Sequence, residues 1–196
     1  TVGPSGFIQH SNFGAWFGPT FDLEFDGNAG LCPIFTPNQY DQDECFADMD
    51  ARLLIPDSFT IAGPPGNEQI VPCPQSGGMP LGVVCTQAIW GPMIDIDVHN
   101  HMPNQTVGYV NVLIDWNQDG FWGGSSLCPD GSSANEHVLV NFQVPNPYDG
   151  PLSGLMPIPL SFLIGPNPGH VWARFSITEQ RVPLPWTGEG TFEDGE

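Results

Sequence analysis

Short stretches in which apolar and polar residues alternate recur along the chain from residue 52 onward. Between 138 and 144, for example, Val138, Val140, Phe142 and Val144 occupy every second position. Because successive side chains of a strand point to opposite faces, this pattern predicts β-strands with one buried face. Similar stretches begin near residues 59, 94, 158 and 171. The run 107–114 is apolar on both faces, which is typical of a central strand.

The connections between these stretches are rich in turn-forming residues, with 24 glycines and 22 prolines in 196 residues. Six or more short strands without an amphipathic helix predict an all-β fold, an antiparallel β-sandwich of the jelly-roll or immunoglobulin type. We expect residues 1–50 to form an irregular acidic arm packed on the sandwich. Residues 51–196 would form the sandwich as one compact unit.

The charge of the chain restricts its partners. There are 22 acidic and three basic residues, which give a formal net charge of −19. Such a chain repels nucleic acid and anionic membranes, so neither is an expected partner. Hydrophobic residues make up 40% of the sequence, enough to fold rather than remain disordered. The acidity instead favours a surface that collects divalent cations.

One motif gives this cation preference a location. The apolar run ends in Asp115-Trp116-Asn117-Gln118-Asp119-Gly120, which matches the first half of an EF-hand calcium loop. Asp115, Asn117 and Asp119 would supply side-chain oxygens at loop positions 1, 3 and 5. Gly120 falls where the backbone must turn sharply, and Phe121 would offer its carbonyl oxygen. The sequence therefore predicts a calcium site here.

The motif departs from an EF-hand at position 12, which is Ser126 rather than glutamate. A closing carboxylate must come from elsewhere, and Asp130 and Glu136 are the nearest candidates. The alternative is a hairpin turn of Asp, Asn and Gly that binds nothing.

A second acidic loop precedes the strands. Asp22, Glu24 and Asp26 alternate and are followed by glycine, as in the central loop. Asp41 and Asp43, from the acidic run 41–44, are predicted to complete a calcium site with them. A solvated acidic loop is the alternative interpretation.

The stretch 94–101 carries a different set of metal-binding side chains. Asp95, Asp97, His99 and His101 take alternate positions and would share one strand face. Two imidazoles and two carboxylates are suitable ligands for a transition metal. The other interpretation is the solvated side of an outer strand.

The five cysteines lack the paired spacing of a zinc site. Local disulfides Cys32–Cys45 and Cys73–Cys85 are the natural expectation, with Cys128 left over. Disulfides would place the chain outside the cytosol. The first residues do not resemble a signal peptide, and no run has transmembrane length, so we expect a mature secreted protein or a piece of one.

The stretches 112–120, 170–176 and 188–196 together resemble the GEVED domain family of bacterial secreted and cell-surface proteins. The stretch 112–120 is similar to the family's I-D-W/F-N-x-D-G signature, and 170–176 to its late R-x-R-x-S strand, from which His170 and Ala173 depart. The end, 188–196, is similar to the approach to the Gly-Glu-Val-Glu-Asp motif, of which only Gly-Glu is present. The acidic stretch of residues 16–44 resembles one that often precedes the domain. The resemblance implies an extracellular, calcium-dependent β-sandwich without a defined chemistry.

These observations predict a non-catalytic, calcium-binding extracellular domain with a structural or adhesive role. It would bind calcium ions and other matrix or cell-surface proteins, or self-associate into a stalk, matrix or filament. The alternative is a carbohydrate-binding module, in which Trp90, Trp122 and Trp186 would stack on sugar rings. We do not expect an enzyme, because the sequence contains neither a G-x-S-x-G nor an H-E-x-x-H motif.

Overall fold

The chain was analysed as a computed structural model, which describes residues 8–19, 53–56, 59–62, 67, 69–72 and 79–195. Its strands are β1 Ile8–Asn12, β2 Ala15–Phe17, β3 Leu53–Ile55, β4 Phe59–Ala62, β5 Gln69–Pro72, β6 Gln87–Ile89, β7 Asp95–Asn100, β8 Gly108–Ile114, β9 Ser125–Leu127, β10 Ser133–Asn135, β11 His137–Val144, β12 Tyr148–Pro151, β13 Ser161–Leu163, β14 Ala173–Thr178 and β15 Gly190–Asp194. Two 3-10 turns, Pro103–Gln105 and Leu152–Leu155, complete the elements. The predicted all-β class is confirmed. Within these residues, no helix has the length and apolar character needed to cross a bilayer.

Strand β8 is the centre of a three-stranded antiparallel sheet with the order β11-β8-β14. Six of its seven residues are buried, and only Tyr109 is partly exposed. A strand with hydrogen-bonded neighbours on both edges and packing on both faces requires apolar residues at nearly every position. The central position predicted for 107–114 is thus confirmed.

A second sheet is organised around β7, in the order β12-β7-β2, with β3 also paired to β7. The interpretation of 94–101 as an outer strand is therefore wrong, because β7 has partners on both edges. Ile96 and Val98 are buried as expected, but so is Asp95. Its carboxylate accepts hydrogen bonds from the Ser153 backbone N–H (3.0 Å) and hydroxyl (2.5 Å), which satisfy it away from water.

The main hydrophobic core contains side chains from both of these sheets. Ile96 and Val98 of β7 belong to the same buried cluster as Val110 and Val112 of β8. Phe17 of the second sheet meets Phe175 of the first in an edge-on ring contact, with 6.1 Å between centroids. A core shared by two sheets agrees with a layered β-protein, while the predicted sandwich topology stays a prediction.

Two details differ from the sequence-based expectation. Residues 8–19, expected to be irregular, form β1 and β2, and β1 pairs with β15 in parallel rather than antiparallel fashion. The strand expected near 158–164 is shorter, because only 161–163 pair with β6, and Ile158 is 77% exposed. The division of the chain at residue 50 stays a prediction.

The disulfide is also different from the one expected. Cys85 is bonded to Cys128, so the prediction of Cys73–Cys85 with Cys128 left over is wrong. The backbone N–H of Cys85 donates to the carbonyl of Ile164, and the Cys128 sulfur lies 3.9 Å from the same oxygen. The tertiary fold thus brings together two cysteines 43 residues apart. Cys32, Cys45 and Cys73 lie outside the described residues.

Candidate metal centre at the end of strand β8

The predicted calcium loop begins where β8 leaves the sheet. The backbone N–H of Ile114 donates to the carbonyl oxygen of Glu136 (2.8 Å), and that of Asp115 donates to the carbonyl oxygen of Trp172 (3.0 Å). These bonds fix the first loop residue to the segments that flank the sheet on either side. Asp115 is consequently almost fully buried, with 1% of its surface exposed.

The side chains of the loop fold back on its own backbone. Asp115 accepts hydrogen bonds from the N–H groups of Asp119 (3.3 Å) and Gly120 (3.2 Å). Asn117 Oδ1 accepts a second bond from Asp119 N–H (2.8 Å), and Asp119 Oδ1 accepts one from Phe121 N–H (2.9 Å). Gly120 has φ +80°, the left-handed conformation that favours glycine. The sharp turn predicted at Gly120 is confirmed. The hydrogen bonds from the loop side chains to its backbone do not identify a metal site, because they also form in turns that bind nothing.

Glu136 distinguishes this loop from an ordinary turn. It lies between β10 and β11, has no solvent-exposed surface, and neither carboxylate oxygen has a hydrogen-bond partner. Burial, and secondarily the negative charge of Asp115, raise the pKa of Glu136 from 4.5 to about 7, with a smaller contribution from Asp119. The backbone N–H groups of Asn117 and Gly123 lie near the carboxylate and oppose this rise in pKa, but neither meets the geometry of a hydrogen bond to it. Because a buried unpaired carboxylate is costly, it requires a proton or a cation.

Asp130, the other proposed closing residue, points elsewhere. It is exposed at the tip of the β9–β10 hairpin, where its Oδ1 accepts hydrogen bonds from the Ser132 hydroxyl (2.5 Å) and N–H (2.9 Å). These bonds lower the pKa of Asp130. Three strand residues at about 3.3 Å each separate the tip from Glu136 by about 10 Å. Asp130 is thus exposed and bonded within its own hairpin, whereas Glu136 is buried near Asp115.

The three loop carboxylates are spaced more widely than a compact metal cluster. The carboxylate oxygens of Asp115, Asp119 and Glu136 do not all lie within 4.8 Å of one another. In the described part of the chain, a different group of three side chains meets this spacing. The loop therefore does not present these three carboxylates as a compact cation site.

Contacts that the sequence did not reveal hold the loop from outside. Asn167 Nδ2 donates to the carbonyl oxygen of Asn117 (3.0 Å), and Gln118 Nε2 lies 3.4 Å from the carbonyl oxygens of Pro168 and His170. The segment 167–170 is some fifty residues away in sequence and has no distinctive motif. These contacts hold the Asn117 backbone and the Gln118 side chain against this segment.

The three tryptophans proposed to stack on sugars are buried, with 1% of Trp90, 6% of Trp122 and 4% of Trp186 exposed. Trp90 packs near Phe162, with 6.0 Å between ring centroids. Trp122 and Trp186 belong to a small hydrophobic cluster that also contains Leu113. The prediction of stacking platforms is wrong, because proximity to a loop in sequence does not determine the direction of a side chain.

The second predicted calcium loop cannot be compared with the structure. Asp22, Glu24, Asp26, Asp41 and Asp43 lie outside the described residues.

Comparison with known proteins gives no assignment. No family model matches the chain, and no curated protein or solved structure matches it. The resemblance to GEVED domains therefore stays a prediction.

Proposed function

We propose that this chain is a non-catalytic, calcium-binding extracellular β-domain. Asp115, Asn117 and Asp119 would supply side-chain oxygens, Phe121 its carbonyl oxygen, and Glu136 the closing carboxylate. The observation that carries the proposal is the fully buried Glu136 carboxylate, which has no hydrogen-bond partner and lies near two further acidic residues. Calcium prefers an oxygen-only ligand set of this kind.

The expected consequence of binding is stabilisation of the folded chain. Asp115 and Glu136 are held together by tertiary contacts, so the unfolded chain does not form the site. A ligand that binds only the folded state stabilises it by about 2.7 kcal/mol at one hundred times its Kd. Extracellular calcium modules have Kd values of roughly 10⁻⁴ to 10⁻³ M. Millimolar calcium would then neutralise the buried charge and fix the loop.

The extracellular location rests on two supports. A disulfide joins Cys85 and Cys128, and such bonds are typical of proteins outside the reducing cytosol. A net charge of −19 is suited to a calcium-rich medium. The structural or adhesive role, with cations bridging copies or partner proteins, follows from the same charge. A carbohydrate-binding role has lost its supporting residues, because the three tryptophans are buried.

The decisive experiment is a thermal melt of chelator-treated protein with and without calcium. We expect millimolar calcium to raise the Tm of the wild type by about 5–10 °C if the metal adds about 2–3 kcal/mol. The double variant Asp115→Ala/Asp119→Ala should lose this rise, whereas Asp130→Asn should retain it. Equal calcium responses in all three proteins would refute the site.

Self-association is tested separately by light scattering of the wild type across a calcium titration. The adhesive proposal expects the apparent mass to increase with calcium. A monomer that calcium stabilises without any change in mass would leave the metal site intact and remove the self-associating role.

A further inference from the structure

A second cluster of ligand-type side chains lies on the sheet built around β7. In the registers of this sheet, Asp149 of β12 is opposite His99 of β7, and His99 is opposite Trp16 of β2. Residues directly opposite one another on neighbouring strands have side chains on the same face. Three strands thus place a carboxylate, an imidazole and an indole in one row.

His101 joins this row from just beyond the end of β7, because it is two residues after His99. Nδ1 of His99 is 2.6 Å from Asp149 Oδ1, and Nε2 of His101 is 2.8 Å from the same oxygen. All three ligand atoms lie within 4.8 Å of one another, and within the described segments no other group of three His, Cys, Asp or Glu residues meets this spacing. Two imidazole nitrogens and one carboxylate oxygen therefore converge on one point.

Trp16 restricts the freedom of both imidazoles. Its ring is stacked on His99 with 4.8 Å between centroids and 9° between planes, and it also faces His101 at 5.7 Å. A stacked wall keeps both ring nitrogens directed toward Asp149, so little conformational entropy remains to be lost on binding. The other side stays accessible, since the side chains of His99, His101 and Asp149 are 22%, 43% and 57% exposed.

We propose that His99, His101 and Asp149 form a binding site for a divalent transition metal of the zinc class. Two imidazoles and one carboxylate are the protein ligands of many zinc sites that leave a fourth position for water. Zinc–nitrogen distances of about 2.0–2.1 Å require ligand atoms about 3.3 Å apart in a tetrahedron, so each imidazole nitrogen must move away from the Asp149 oxygen by about 0.5–0.7 Å. Nitrogen ligands distinguish this site from the oxygen-only loop after β8, which suits calcium.

Only part of the side-chain row expected in 94–101 contributes. Asp95 is bonded to Ser153 and Asp97 is not in the cluster, while the carboxylate comes from Asp149, fifty residues after His99. That third ligand was not identified from the sequence, because only the β7–β12 register brings it to the histidines.

The test is isothermal titration of the calcium-saturated full chain with zinc chloride at pH 7.4, so that calcium already occupies oxygen-only acidic sites. We expect one zinc ion per chain at this site. His99→Gln, His101→Gln and Asp149→Asn should each weaken its binding at least tenfold. His170→Gln, which changes an exposed histidine outside the cluster, should bind zinc as the wild type does.

A spectroscopic readout identifies the position of the metal independently of affinity. Cu²⁺ quenches the fluorescence of a nearby indole, so copper bound at this site should quench the emission of Trp16. The Trp16→Phe variant should therefore show less copper quenching than the wild type. Thermal melts verify that each variant is folded. Two results would overturn the proposal. The first is zinc binding that is unchanged in a folded His99→Gln/His101→Gln variant. The second is no detectable binding of zinc to the wild type at about 1 mM, the Kd expected of a weak surface site.

Discussion

Glu136 and Asp115 are both acidic and buried, and the negative charge of Asp115 contributes to a pKa of about 7 for Glu136. The backbone N–H of Ile114, the residue before Asp115, donates to the carbonyl oxygen of Glu136. This bond holds Asp115 and Glu136 on adjacent segments. The backbone bond stabilises the fold, while a charged Glu136 carboxylate buried beside Asp115 destabilises it. A cation between them would remove this conflict, and the consequences are measurable.

Without calcium, the contribution of Glu136 to stability should decrease as the pH rises through the range from 4.5 to about 7. The folded-state pKa of Glu136 is higher than its unfolded value, so the folded chain binds the additional proton, and the stabilisation is complete below 4.5 and lost above about 7. At 1.36 kcal/mol per pKa unit, this amounts to an upper value of about 3 kcal/mol.

Urea unfolding in chelator at pH 5 and pH 7.5 measures this decrease. Because other carboxylates also titrate, the relevant quantity is the difference between the wild type and Glu136→Gln. A variant with the same pH dependence as the wild type would show that Glu136 is not responsible.

Glu136→Gln should separate the fold from the metal site. In the presence of chelator at pH 7.5, we expect the variant to be more stable than the wild type, because a neutral amide replaces a buried charge beside Asp115. We also expect its calcium-induced rise in Tm to be much smaller. Calcium titrations monitored by thermal melts test both parts, with Asp130→Asn as the exposed-carboxylate control. A variant that is less stable in chelator yet fully calcium-responsive would contradict the assignment.

Gly120 should tolerate asparagine better than valine. Its φ of +80° is accessible to glycine and, at some cost, to asparagine, but is strained for a β-branched residue. Gly120→Val should lose about 1–3 kcal/mol of stability and lower the calcium affinity, and Gly120→Asn should lose less of both. Denaturant unfolding and calcium titration of the two variants give the comparison. Equal losses would mean that backbone conformation does not limit this position.

Asn100 should be essential for stability, although its buried side chain takes no part in the cluster formed by its neighbours His99 and His101. It is fully buried, donates to the carbonyl oxygen of Val144 (2.9 Å), and accepts from the Met102 N–H (3.2 Å). Asn100→Ala leaves these groups without partners and should cost about 2–4 kcal/mol in urea unfolding. Gln143→Ala, at an exposed position of β11, should cost less than about 0.5 kcal/mol. A similar small loss at both sites would contradict the importance of the buried amide.

The bond between Cys85 and Cys128 should contribute substantially to stability. In the chain-entropy description, a crosslink over 43 residues stabilises by up to about 4 kcal/mol. The double variant Cys85→Ser/Cys128→Ser should lose stability on this scale in denaturant unfolding. Peptide mapping of the unreduced wild type should recover these two cysteines in one linked fragment, and a fragment joining Cys85 to Cys73 would disprove the pairing.

The sequence by itself determined the all-β class, the central position of β8 and the sharp turn at Gly120. These features depend on the spacing of apolar residues and on backbone conformations available to glycine, which are local properties. The loop 115–121 was therefore identified with its turn correctly placed. The same reasoning proposed two closing carboxylates and could not choose between them.

The tertiary structure decided the remaining points, because each depends on which distant segments become neighbours. Pairing along the β9–β10 hairpin keeps Asp130 at the exposed tip and buries Glu136 at its base. The β7–β12 register brings Asp149 to His99, and the fold brings Cys128 to Cys85. Alternation along a strand predicts which side chains share a face, but strand registers and sheet packing determine what that face meets.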